Sequence, residues 1–447
     1  MNIIVCSLLV GGFLYAVISN RDLFSPAKFF LFSFVIFHLG ALSGHSSYEL
    51  WLLILLVLLV GITAVMFEAL GSGRTVPRRV FNVRAAPDPR FFLTWIWLLS
   101  FPGILAQIYI VESFGGIKAY INVIGNRVIE FRGLGWAITL TATLLAFNLV
   151  YFAVGLTRRR SRAWWSAYVA HFIVLLVTGL LSGSRSGILN VFAMQLFCYH
   201  YIKGNIRLSR ALPIAVTLLL FAIILGVLRN GIKFENDVLT TGLEGQDASV
   251  GYSTFQYGVL PLQILLDADH LQLAYGMTMV SLVTNVVPRD WWPDKPDTGG
   301  VFFTKEYTGD AWDGASNLTP TFLGEGIINF GWACGILFFV FTYPATMYFL
   351  VTYYRRIVMR MRTTPGAAAA VDLVLYVFVM WAVVALMTGE VTTIILSLVL
   401  TRLVPVAMIK LVLGQRWQGS RSAGRGNLPQ VYSDDNPVGE QLKPVAL

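Results

Sequence analysis

Long apolar runs alternate with short polar breaks from the first residues onward. The runs lie near residues 2–19, 29–43, 50–70, 91–111, 136–156, 164–182, 186–202, 211–228, 321–352, 370–388 and 391–412. Most approach the roughly 20 residues that carry a helix across a hydrocarbon core. Backbone groups in lipid must be satisfied within the chain, and no short alternating segments of the kind that build a barrel occur. The pattern therefore predicts an all-α, polytopic membrane protein with about eleven transmembrane helices.

The rhythm breaks once, between residues 229 and 320. A loop of that length is uncommon unless it is functional or disordered. This one holds two apolar stretches, at 252–268 and 271–288, which fit helices lying on a leaflet or a re-entrant hairpin. The expected organisation is a membrane domain of eight spans (1–228), a large external loop with helical segments (229–320), three further spans (321–413) and a disordered tail (414–447).

Composition and charge sharpen this picture. The chain is 56% hydrophobic and 13% charged, against roughly 25% charged in a soluble domain. Of the 33 Lys and Arg residues, 23 fall in loops on one side, and 17 of the 24 acidic residues fall on the other. Basic loops stay in the cytoplasm, so the N-terminus is expected outside and the tail inside. The net charge of +9 is then a topology signal, and no nucleic-acid partner is needed. The first apolar run lacks a basic leader and a cleavage site and reads as a retained helix. Cys6, Cys198 and Cys334 lie in apolar segments and offer neither metal spacing nor a disulfide framework.

Candidate chemistry concentrates outside. The chain carries no P-loop, HExxH or GxSxG motif. No metal or nucleotide cofactor is expected, and a substrate would arrive already activated, most simply as a lipid-linked phosphate or pyrophosphate. External cations run against the charge bias. Arg185 sits in the SGSRSG turn, either as an anion site beside exposed backbone donors or as a snorkelling helix end. Arg229 and Lys233 stand one turn apart, able to grip a phosphate or to anchor an interface. Arg289, Lys295 and Lys305 accompany Trp291 and Trp292, whose rings suit either a sugar face or an interfacial belt. Arg289 and Gly300 are spaced by ten residues.

Glu325, within TFLGEGIINFG, and Glu390, within MTGEVTT, are the acids placed for proton transfer; each also suits the positive end of a helix dipole. Arg402 falls near mid-membrane, where an ion pair is expected. His270 is an external histidine in DADHLQLAYG.

Three segments, SGSRSGIL, VVPRDWWPDKPDTGG and NLTPTFLGEGIINFGWACG, resemble the Wzy-type oligosaccharide repeat-unit polymerases of O-antigen, capsule and exopolysaccharide assembly. The resemblance implies a multi-pass enzyme of the bacterial inner membrane with a periplasmic active site. It implies transfer of a growing glycan from undecaprenyl pyrophosphate to the non-reducing end of a new lipid-linked unit. It also implies a chain-length-regulating co-polymerase and a flippase as partners, and membrane lipid around the spans. On that reading Arg185 and Arg229 would stabilise the departing pyrophosphate and Glu325 would accept the proton. Lys233, Arg289, Lys295, Lys305, Trp291, Trp292 and Glu390 would bind substrate. An O-antigen ligase, for which His270 is the discriminating residue, and a transporter are the rival readings.

Overall fold

The computed structural model describes residues 1–20, 22–43, 46–70, 89–123, 130–131, 133–182, 185–203, 257–287, 291–309, 318–363 and 366–412, with scattered positions between 204 and 241. The apolar runs fold as helices. The first set is α1 (Asn2–Ser19), α2 (Pro26–His38), α3 (Tyr48–Leu70), α4 (Pro89–Ser113) and the short α5 (Ile117–Val123). It continues with α6 (Gly135–Ala142), α7 (Leu144–Leu156), α8 (Arg162–Leu181) and α9 (Arg185–Lys203). A small antiparallel hairpin follows, β1 (Ile232–Glu235) and β2 (Val238–Thr241), with Ile232 opposite Thr241. Three short helices, α10 (Leu260–Asp267), α11 (Met277–Thr284) and α12 (Gly299–Tyr307), precede α13 (Thr321–Thr363), α14 (Ala367–Ala385) and α15 (Val391–Val412).

Among the described residues, eight helical stretches are long and apolar enough to cross a membrane, with α6 and α7 counting together. The chain is a polytopic helical membrane protein. The shorter α2 and the less apolar α9 lie where the second and seventh spans are expected. The run at 211–228 lies largely outside the described residues, and the tail from 414 lies wholly outside them.

Helices α7 and α14 form the core. Their side chains are buried on nearly every face, among them Leu144, Tyr151, Tyr376 and Phe378. Alanines at the start of α14 let its neighbours approach closely, and α14 packs on α7, α9 and α13. Lipid-facing helices do the reverse: Ile3, Ile18, Ile173 and Leu411 are exposed, as hydrocarbon solvates them at no cost.

One element departs from the sequence pattern. A single long span, tilted or beginning outside the hydrocarbon, is expected over 321–352, but the first part of α13 is a helical hairpin. At Gly331 the backbone takes φ 78°, ψ 174°, a region open essentially to glycine alone. The chain reverses there. Phe322 lies against Phe339 and Tyr343, with ring centroids 5.9 and 6.0 Å apart. The Gly326 and Gly335 backbones meet so closely that a Cβ on Gly335 would stand 2.5 Å from the Gly326 carbonyl oxygen. Residues 321–330 are thus a half-helix laid against 332–343, and the long helix continues alone from there.

The half-helix is pinned to the turn between α14 and α15. The Phe322 amide donates to the Leu386 carbonyl at 3.0 Å. The Thr319 hydroxyl donates to the Thr388 carbonyl at 2.7 Å. Thr321 opens the half-helix at φ 64°, unusual for a β-branched residue, and its hydroxyl caps the Gly324 amide at 3.1 Å.

Candidate functional site

Two carboxylates that are 65 residues apart in the chain meet beside this turn. Glu325, on the half-helix, is 0% exposed, and Glu390, immediately before α15, is 1% exposed. Each caps a helix that belongs to another segment. The first amide of α15, Val391, donates to Glu325 Oε2 at 2.6 Å. The Gly300 amide, at the start of α12, donates to Glu390 Oε2. Thr278 on α11 donates its hydroxyl to Glu325 Oε1 at 3.0 Å, and Thr393 donates its own to Glu390 Oε1. Asn329 completes the cluster, its Nδ2 donating to Thr278 Oγ1 and to the Glu325 carbonyl at 2.7 Å each.

Burial of a carboxylate is costly unless it is hydrogen-bonded, and helix N-termini are where anions are best tolerated. The clasp meets both conditions. Burial still dominates at Glu390: it raises the carboxyl above its ordinary 4.5, although hydrogen bonds from Thr393, Gly300 and Thr298 oppose the rise. Gly299 stands between the two acids. A Cβ there would lie 2.9 Å from Glu325 Oε1 and 3.2 Å from Glu390 Oε2, so α12 can approach only because residue 299 has no side chain. The arrangement holds two buried acids on either side of Gly299.

The other residues singled out from sequence have different surroundings. Lys295 is buried and donates Nζ to the carbonyls of Asn285 at 3.3 Å and Val287 at 2.5 Å, closing the C-terminal end of α11. Lys305 pairs with Asp297 at 2.7 Å on the surface. Trp291 is 82% exposed and Trp292 is 43% exposed. His270 is exposed in the bend after α10. Arg185 begins α9, but its side chain lies outside the described residues, as does that of Lys233 on β1; Arg229 and Arg289 lie outside them altogether. Arg402 differs from expectation. No acidic side chain pairs with it among the described residues. Its guanidinium donates to the Ala142 carbonyl and to the Thr401 carbonyl at 3.2 Å, and lies 5.5 Å from the centre of the Phe378 ring. The break between α6 and α7 leaves Ala142 without a helical partner, and a π-helical turn at Val399–Leu403 aims Arg402 at it.

Sequence reasoning overlooked Thr278, Asn329 and Thr392, since nothing distinguishes a threonine in an apolar run from any other. It also overlooked two further polar centres. In one, Ser100 donates to the Ile96 carbonyl at 2.7 Å and therefore accepts from His171 Nε2 at 2.8 Å, while Asn148 donates to His171 Nδ1 at 3.1 Å. These partners fix a neutral tautomer, a satisfied core histidine. In the other, at the opposite end of the bundle from Glu390, Asp22 accepts from His200 Nε2 at 2.9 Å and from the Tyr354 hydroxyl at 2.7 Å. It ties the α1–α2 turn to α9 and α13.

Comparisons of the chain with protein-family models, with curated proteins and with solved structures return no match.

Proposed function

We propose that the chain is a polyprenyl-pyrophosphate-dependent glycosyltransferase of the Wzy polymerase type. It would act on the periplasmic face of a bacterial inner membrane, with about eleven spans and the N-terminus outside. The observation that carries this reading is the Glu325–Glu390 clasp. It joins two of the three stretches on which the resemblance rests, since Gly299 and Gly300 end VVPRDWWPDKPDTGG and Glu325 lies in NLTPTFLGEGIINFGWACG. It also supplies what the reaction requires, a carboxylate held away from water.

In the proposed step a hydroxyl at the non-reducing end of the incoming unit attacks the anomeric carbon of the growing glycan. The bond from that carbon to the pyrophosphate oxygen breaks, its electron pair leaves with undecaprenyl pyrophosphate, and the hydroxyl proton passes to Glu325. Arg185 and Arg229 would offset the charge on the leaving group. Glu325 is covered by α12, so the substrate would bind with α12 drawn aside. The contact to be broken is short: the Gly300 amide on Glu390 and the approach of Gly299. A co-polymerase and a flippase would be the partners, and no cofactor is invoked.

The test uses purified protein in nanodiscs with a defined lipid-linked repeat unit, and a gel that resolves a ladder of products. Wild type should ladder and Glu325→Gln should not. A ladder from Glu325→Gln removes this residue as the base. Transfer to lipid A core in place of a ladder moves the chain to the ligase class.

A further inference from the structure

Helix α11 is inside out. Its buried face is polar: Thr278 is 1% exposed and Ser281 is 0% exposed, with Thr284 beside them. Thr278 reaches Glu325, and its carbonyl accepts from the Thr392 hydroxyl of α15 at 2.9 Å. Its exposed face is apolar: Met277, Val280 and Val283 follow one another at three-residue intervals, and Val283 is 74% exposed. Tyr275, Val286 and Trp291 are exposed as well. A helix on a water-soluble loop shows the opposite pattern, with apolar residues inward. The stretch from Leu271 to Pro288 carries no charged side chain, which a face in water would not require.

We infer that residues 275–287 are seated in the bilayer, with the apolar face of α11 in contact with acyl chains. Three observations select lipid as the occupant. The polarity is inverted, as hydrocarbon solvent demands. The surface is continuous with that of a membrane-spanning helix: α11 packs on the start of α15, which itself exposes Val399, Val404 and Leu411. Trp291 and Trp292, exposed at 82% and 43%, are of the residue type that marks the boundary between hydrocarbon and headgroups. Lys295 then closes the helix end from the polar side. Trp291 is thereby assigned to lipid. The inference stands whether or not the chain is a polymerase.

It also has a consequence for the clasp. Thr278 of α11 donates to Glu325, so on this inference the helix beside that acid has acyl chains on its outer face.

The test uses the full chain in nanodiscs, in a Cys6→Ser, Cys334→Ser background that keeps the buried Cys198. Val280→Cys, Val283→Cys and, as a water-facing control, Gln272→Cys carry an environment-sensitive fluorophore. Quenching by nitroxide-labelled acyl chains should exceed quenching by iodide several-fold at 280 and 283, with the order reversed at 272. Without added cysteines, brominated acyl chains should quench the fluorescence that Trp291→Phe removes. Iodide quenching at 280 and 283 equal to that at 272 places the face in water and overturns the inference. Quenching by neither agent means that protein covers the face, and overturns it as well.

Discussion

Gly299 is the residue whose smallness the clasp depends on. Gly299→Ala puts a methyl group against Glu325 Oε1, and overpacking of this kind costs about 1–3 kcal/mol. A lowered melting temperature in detergent is expected. Gly309→Ala is no control, because Gly309 has positive φ; Gly366→Ala, with nothing within 4 Å of its Cβ, is. Glu390→Ala strands the Gly300 amide and the Thr393 hydroxyl. A hydrogen bond to a charged group contributes about 1.5–3 kcal/mol, so a loss of that order is expected in a denaturant titration. Glu325 and Glu390 were legible as acids in a greasy chain. Their partnership was not, because capping in trans leaves no sequence spacing to find.

At the scale of elements, the α13 hairpin rests on one backbone conformation. Gly331 has open space around its Cβ position, so Gly331→Ala acts through φ alone, at about 1–3 kcal/mol. Gly335→Ala acts through contact with the Gly326 backbone instead. Both should lower thermal stability. Hydropathy located α1, α3, α4, α8, α14 and α15 because each is one uninterrupted apolar run. It missed the reversal at 331 because no charged residue or proline separates TFLGEGIINF from WACGILFFVF, and one glycine among 40 does not announce a positive φ. The π turn in α15 was hidden for the same reason: its cause is the Ala142 carbonyl, on another helix.

For the whole molecule, the two ends of the bundle answer acid oppositely. Burial pushes the Asp22 carboxyl up, but hydrogen bonds from His200 and Tyr354, the His200 charge and the Phe24 amide outweigh it and hold it below its ordinary 3.8. Its contribution to stability is therefore complete above 3.8 and is lost as pH falls through the depressed value. Glu390 is raised, so its contribution is present below 4.5 and is lost as pH rises through the raised value. Cys198, buried on α9 two residues before His200 in sequence, serves as a native probe of that helix. Its reaction with a dithiodipyridine should accelerate as pH falls below 3.8 in wild type, whereas in Asp22→Asn it should already be faster at neutral pH, without that acid-linked rise. The proposed orientation has its own native probe. Cys334 is exposed near the hairpin tip, and a membrane-impermeant maleimide should label it from outside in intact spheroplasts. Labelling only after lysis would invert the topology.

Arg402 bears on how the protein is made. An arginine at the centre of a helix costs about 2.5–3.5 kcal/mol to insert from the translocon, and the carbonyl that receives it belongs to Ala142, 260 residues earlier. The last helix therefore enters the membrane against a debt that only an already folded α6–α7 junction can settle. Fused alone to a reporter, residues 391–412 should insert poorly, and Arg402→Leu should restore insertion. In the full chain the same arginine makes arrival of α15 conditional on assembly of the α6–α7 junction that receives it, a checkpoint written into the order of synthesis.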